Sequence, residues 1–159
     1  MVDFREAPVT DATAHALLAE YFAERELTFP TAGGYRTTFP APEHFEPPAG
    51  VFLLVLDASR KPIGCGGLRR IDDGDDGRVR FEVKHLFLRP SARGLGAGRG
   101  LLQELERRAV SMGADEVVLD TNASLQAAGG LYRSSGYVDI PPYNENPNAT
   151  NWFGKRLRL

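Results

Sequence analysis

The sequence predicts one mixed α/β domain, an antiparallel N-terminal half continuing into a parallel centre, with helices on both faces of a single sheet. Three observations predict it. Residues 51–57 and 62–70 are β-rich apolar runs joined by the short polar turn Ala58-Ser59-Arg60-Lys61, as in a hairpin. From residue 78 onward the chain alternates strand, helix, strand, helix and strand, an order that requires crossovers and so parallel pairing. At 159 residues the chain can bury roughly two-thirds of its unfolded surface in one core, so residues 1–159 are read as a single domain.

Each element follows from its local pattern. Residues 2–7 read as a first strand. Thr10 or Asp11 then caps an amphipathic helix running to about Leu27, with Ala14, Leu17, Leu18 and Tyr21 on one face. Residues 29–50 carry Pro30, Gly33, Gly34, Pro40, Pro42, Pro47 and Pro48, too many breakers for a long element, and leave room for one helical turn over 42–45. The run Asp72-Asp73-Gly74-Asp75-Asp76-Gly77 is a solvated turn: it lacks the spaced terminal Glu of a calcium loop and sits between strands. Residues 78–88 form a long strand ended by Pro90. Residues 97–112 form a helix closed by Gly113, 116–120 a short strand, 124–135 a helix closed by Gly136, and 137–140 another strand. Residues 151–159 alternate like a half-buried terminal strand.

Composition narrows the function. Nineteen basic against 21 acidic residues give a formal net charge of −2, so no broad positive field invites nucleic acid or an anionic membrane. Cys65, the lone cysteine, excludes an internal disulfide framework and a multi-cysteine metal site; it reads as a small apolar residue in its strand and suits a reducing compartment. No apolar run reaches 18 residues and the N-terminus lacks a secretory pattern, so a cytoplasmic protein is expected.

Any anion must therefore be held locally, and Arg93-Gly94-Leu95-Gly96-Ala97-Gly98 is the place. Alternating glycines between a strand and a helix leave backbone N–H groups unshielded where the helix dipole favours negative charge, with Arg93 and Arg99 beside them. Spacing rules out two phosphate loops. Gly98 is followed by Arg99-Gly100 rather than the Lys-Ser/Thr of a triphosphate loop, and no third glycine stands where a dinucleotide fingerprint needs it.

A strand ending in Leu86-Phe87-Leu88, an Arg-x-x-Gly-x-Gly loop and a helix together resemble the coenzyme A motif of the GNAT (Gcn5-related N-acetyltransferase) family. Downstream, Ala127-Ala128-Gly129-Gly130-Leu131-Tyr132 through Gly136-Tyr137 looks like the family's second block. The resemblance is strong over about residues 50–140. It implies the acyl-CoA N-acyltransferase fold, with central strands splayed at the cofactor site. It also implies acetyl-CoA as co-substrate, no metal, and direct transfer of acetyl to a primary amine of a small molecule or peptide. The same fold could instead serve as a non-catalytic acetyl-CoA-sensing module, or as an interaction domain without a cofactor. Homodimer formation is left open.

The resemblance further implies that Leu86, Phe87 and Leu88 receive the pantetheine arm, with the Leu88 or Leu86 N–H facing the thioester oxygen, and that Tyr132 protonates the leaving thiolate. Glu82 matches the position from which some relatives' glutamate acts as base; a salt-bridged surface carboxylate is the other reading, since alternation puts Arg78, Arg80, Glu82 and Lys84 on one face. His85 falls on the opposite face unless a bulge intervenes. Leu125 departs from the Asn that many relatives carry, and Asn122, three residues earlier, is the candidate contact to pantetheine. Acceptor pockets of relatives are built where this chain has residues 29–50, with Tyr35, Arg36, His44 and Phe45, and residues 141–147. The latter run, with Asn151-Trp152-Phe153-Gly154-Lys155, resembles a bacterial subgroup of small-molecule N-acetyltransferases.

Overall fold

A computed structural model describes residues 2–29 and 37–157. Tyr35 and Arg36, expected in an acceptor pocket, lie outside the described residues, as do Arg158 and Leu159 of the expected terminal strand.

Strand β1 (Asp3–Glu6) leads into helix α1 (Ala12–Thr28). Asp11 caps that helix, its carboxylate accepting from the Thr13 and Ala14 N–H groups at 3.0 and 3.1 Å. A 3-10 turn over Pro42–Phe45 precedes β2 (Gly50–Leu56) and β3 (Pro62–Arg70). Next come β4 (Arg80–Leu88), α2 (Ala97–Ser111), β5 (Glu116–Thr121), α3 (Gln126–Ser134), β6 (Val138–Asp139) and β7 (Asn151–Arg156). Gly113 and Gly136 follow α2 and α3 at φ 94° and 95°, the left-handed conformation that ends a helix cheaply only at glycine.

One seven-stranded sheet runs β1-β2-β3-β4-β5-β7-β6. Both faces of β2 are covered. Val51, Leu53 and Val55 join a core with Leu101, Leu102 and Leu105 of α2 and Tyr132 of α3, whereas Phe52, Leu54 and Leu56 pack with Leu17, Leu18 and Phe22 of α1. Each such side chain, fully buried, contributes about 1.5–3 kcal/mol.

One expectation needs correction. The strand at 137–140 was predicted to continue the parallel pairing from β5, but β7 lies between them, antiparallel to both. The reason is hydrogen bonding: β7 pairs with β5 from Glu116↔Arg156 to Thr121↔Asn151, a ladder that satisfies far more backbone groups than the two-residue β6 could. Parallel pairing is confined to β4 and β5, and there to Arg80↔Glu116, Phe81↔Val117 and Glu82↔Val118. Beyond those pairs the strands run on to Leu88 and Thr121 without pairing to each other, so the sheet is splayed.

A bulge in β4 lies in the splay. Lys84 pairs with Gly67 and Phe87 with Cys65, which leaves His85 and Leu86 opposite Gly66 alone. His85 takes φ 58°, uncommon for a residue with a side chain. Bulges bend a strand and increase its twist, which here carries β4 away from β5. They also shift the faces: Phe81 and Val83 belong to the α2 core, and past the bulge Leu86 and Leu88 do, while Phe87 belongs to the α1 core. The bulge moves His85 off the opposite face that alternation gave it and turns its ring toward α1, against Tyr21, Phe22 and Phe45.

Candidate active site

The splay opens on the α1 side into a cavity of about 410 Å³. Its floor is Val83 to Leu86 of β4 and Asp120 to Asn122 at the end of β5; α1 contributes Tyr21, Phe22 and Arg25, and α3 contributes Tyr132. His44 and Phe45 from the proline-rich stretch also line it, as do Asn146 and Asn148 beyond β6.

The backbone of β4 supplies the polar edge. Arg89 N–H donates to Ile63 C=O at 2.8 Å, so Arg89 faces β3 and, by alternation, the Leu88 N–H and C=O face the gap left by β5. Leu86 lines the cavity. Phe87 is 5% exposed, its side chain in the α1 core.

At the glycine loop, Gly94 and Gly96 both adopt positive φ, 81° and 80°, which any β-carbon would strain. Gly96 is the N-cap of α2 and supplies no side-chain acceptor. The first helical bond runs from Gly100 N–H to Gly96 C=O, so the Ala97, Gly98 and Arg99 amides have no acceptor within the helix. Leu95 projects outward, 78% exposed. The two arginines expected as charges beside a diphosphate are engaged elsewhere. Arg93 donates through Nε to the Leu88 carbonyl at 3.0 Å and through Nη2 to the Glu24 carboxylate at 2.6 and 2.7 Å. Arg99 binds Ser134 and Ser135 at the end of α3.

Tyr132 is 6% exposed, its ring against Tyr137 and Phe153, and burial pushes its hydroxyl up so that it stays protonated. Asn122 lines the cavity but spends its carboxamide internally: Oδ1 accepts from Ser124 N–H at 3.0 Å and Nδ2 donates to the Asn148 carbonyl at 3.2 Å.

Glu82 differs from the surface carboxylate that alternation suggested. It is wholly buried, because its face of β4 is covered by the chain beyond β6. Arg69 Nε donates to its Oε1 at 2.9 Å, Tyr143 Oη donates to Oε2 at 2.6 Å, and Lys84 Nζ stands 3.6 Å from Oε2. It does not line the cavity; its neighbours Arg69 and Lys84 do.

Asp120 is a site residue that sequence reading missed. Its carboxylate lines the cavity and accepts from Lys84 Nζ at 3.3 Å, Asn144 Nδ2 at 2.7 Å and Asn146 Nδ2 at 3.1 Å. Burial opposes its charge, yet Lys84 and the two amides outweigh it and hold the acid below its ordinary value. Trp152 Nε1 fixes Asn144 at 2.9 Å. The available signal was an aspartate closing the apolar run Glu116-Val117-Val118-Leu119-Asp120.

His85 is held neutral. Burial among aromatic rings, then the charges of Lys84, Arg69 and Arg25, push its pKa down from 6.5 to about 3. The folded chain thus binds fewer protons than the unfolded chain between those values, and stability falls as pH drops from about 6.5 toward 3, by up to about 1.4 kcal/mol per pH unit. Urea unfolding from pH 7 to pH 4 is expected to show that slope, and His85→Asn to flatten it.

Among the described residues no helix is long and apolar enough to cross a membrane. Residues 14–137 match the acetyltransferase (GNAT) family. The chain belongs to that family. An uncharacterized N-acetyltransferase of Schizosaccharomyces pombe is 34% identical over 103 residues, 65% of this chain and 61% of the relative. The IAA acetyltransferase of Azospirillum brasilense is 34% identical over 91 residues, 57% of each chain. The chain thus spans about 60% of the length of these two curated relatives. The GNAT fold extends over the whole described sheet: a phosphinothricin acetyltransferase from Sinorhizobium meliloti, solved with acetyl-CoA, superposes with a TM-score of 0.67 at 17% identity, over 99% of this chain and 89% of that one.

Proposed function

We propose that this GNAT chain is an acetyl-CoA-dependent N-acetyltransferase that delivers acetyl to a primary amine of a small molecule or peptide by direct attack in a ternary complex. The unpaired edge of β4 across the splay carries the reading. An amide-bearing arm laid along Leu86 to Leu88 would satisfy backbone groups that β5 leaves open, foremost the Leu88 N–H, since the Leu88 carbonyl already accepts from Arg93. The loop from Arg93 through Gly94, Leu95, Gly96 and Ala97 to Gly98 fits a diphosphate through its backbone amides, not its arginine side chains.

The roles then follow. The Leu88 or Leu86 N–H faces the thioester oxygen, which gains negative charge as the amine attacks; a preorganised donor there costs no reorganisation. Tyr132, kept protonated by burial, gives its proton to the departing sulfur. Glu82 is the base that takes the amine's proton through water, since its carboxylate does not line the cavity, and Arg69, Lys84 and Tyr143 hold it in place. Asn122 steadies the cofactor side of the cavity through its bonds to Ser124 and Asn148. Cys65 is fully buried, donates to the His85 carbonyl at 3.6 Å, and has its thiol pushed up by burial, which favours direct transfer over a cysteine-linked acyl group.

The test is coenzyme A release from acetyl-CoA across amino acids, polyamines, aminoglycosides and peptide N-termini, beside thermal unfolding with coenzyme A. The expected results are turnover of at least one amine class and stabilisation of about 2.7 kcal/mol at 100 times the dissociation constant. Binding without turnover would leave a sensing module instead.

A further inference from the structure

The acetyltransferase reading leaves the acceptor open, and the way Arg69 is held bears on it. Arg69 stands opposite Glu82 in the ladder between β3 and β4, where cross-strand side chains meet. Its Nε donates to Glu82 Oε1 at 2.9 Å. Arginine frequently grips a carboxylate with two N–H groups, as Arg89 grips Glu20 through Nε at 2.9 Å and Nη2 at 2.6 Å. At Glu82 the second oxygen is already taken: Tyr143 Oη donates to Oε2 at 2.6 Å, and Lys84 Nζ stands 3.6 Å from it. Arg69 is therefore fixed by Nε alone, and Nη1 and Nη2 make no hydrogen bond among the described residues.

Those two nitrogens are reachable. Arg69 lines the cavity with its side chain 33% exposed, and neither Nη is sealed in the way that the unpartnered His85 Nδ1 and Thr121 Oγ1 are. Glu82 itself stays outside the cavity and shows it only the arginine that it holds.

The other charges at this end of the cavity are occupied. Lys84 Nζ lies 3.3 Å from Asp120, which also accepts from Asn144 and Asn146. Arg69 and Lys84 face Glu82 and Asp120, two cations against two carboxylates, so no net charge selects a ligand here. Selection falls to directed donors. A planar guanidinium fixed at Nε, with its Nη pair open, matches the two oxygens of a carboxylate, and fixing it beforehand removes part of the ordering cost of binding.

We propose that the acceptor amine carries a carboxylate, which Arg69 receives through Nη1 and Nη2 while Nε stays on Glu82. This inference rests on the acetyltransferase reading and narrows its acceptor to free amino acids, because the N-terminal residue of a peptide has lost its α-carboxylate to the amide bond. An α-amino acid and a chain-end one such as 4-aminobutyrate share that chemistry.

The experiment measures coenzyme A release by the full chain with the protein amino acids and 4-aminobutyrate, each beside its carboxamide, and with spermidine and phenethylamine as amines without a carboxylate. Amidation removes the carboxylate charge at nearly constant shape. It also makes an α-amine less basic, which works in the amide's favour. The expected result is a kcat/KM for at least one free acid about 10-fold or more above that for its amide, the identity of that acid telling which source fits. Arg69→Lys keeps a cation for Glu82 without the fork, and Arg69→Gln keeps an N–H donor without the charge. Each is expected to lower the acid-to-amide ratio by about 10-fold. Any loss that comes from a displaced Glu82 falls on acid and amide alike and leaves that ratio unmoved. Thermal unfolding checks that the variants are folded. Should neither fold, inhibition of the parent by the amine-free analogue of the best acid, competitive with the acceptor and absent for the analogue's amide, carries the test. Amides turned over as well as their acids, turnover confined to spermidine or phenethylamine, a parental ratio in a folded Arg69 variant, or no such inhibition overturns the inference while sparing the acetyltransferase reading. Absence of acetyl-CoA binding, or binding without turnover of any amine, overturns both.

Discussion

Replacing Glu82 by alanine is expected to lower the unfolding free energy by about 3 kcal/mol, read from urea denaturation at neutral pH. The carboxylate is wholly buried and accepts from Arg69 and Tyr143, with Lys84 close by. Its removal leaves those donors without their acceptor in a site that the surrounding segments keep dry. The low end of the range for breaking a buried pair applies because the Arg69 side chain retains 33% exposure and can turn toward water. Glu82→Gln, which retains one oxygen acceptor, is expected to recover part of the loss. A loss below about 1 kcal/mol for the alanine variant would mean that the network stabilises little, and that Glu82 is not its anchor.

Tyr132→Phe is expected to reduce kcat by about 10²- to 10⁴-fold while leaving KM for acetyl-CoA and the thermal midpoint nearly unchanged. The ring packs on Tyr137 and Phe153 in either variant, so the substitution removes little but the hydroxyl proton. The departing sulfur would then leave as a thiolate, and the deficit should persist from pH 7 to pH 9.5 because the parent hydroxyl stays protonated throughout. Steady-state coenzyme A release across that range measures both effects. Unchanged kcat would take the acid role from Tyr132.

Much of this architecture was legible in the residues. Pro62 and Arg70 bound their strand where the turn residues placed them, Asp11 caps α1 as expected of an aspartate before an apolar-periodic run, and Gly113 and Gly136 end their helices at positive φ. Each of these is a local preference, readable without tertiary context. What could not be read depends on partners distant in sequence. The bulge in β4 is held by a non-glycine residue, so Lys84-His85-Leu86-Phe87 carries no local mark of it. Strand order is likewise absent from chain order, and the insertion of β7 between β5 and β6 became visible only in the ladder itself.

Glu82 is the instructive case at the site. Spaced with Arg78, Arg80 and Lys84 it has the pattern of a solvated strand face, and the pattern is misleading because Tyr143, 61 residues on, returns to cover it. Asp120 was missed for the complementary reason: a single carboxylate at a strand end is unremarked until Lys84, Asn144 and Asn146 converge on it.

The ties between α1 and the chain around the glycine loop carry a mechanical consequence. Glu20 holds Arg89 at 2.6 Å and Glu24 holds Arg93 at 2.6 Å, so two successive turns of one helix grip the exit of β4 and the first residue of the loop. The same helix presents Tyr21, Phe22 and Arg25 to the cavity. Loop and cavity wall are therefore anchored to one and the same helix. That anchorage weakens as salt rises, because both ion pairs are partly exposed.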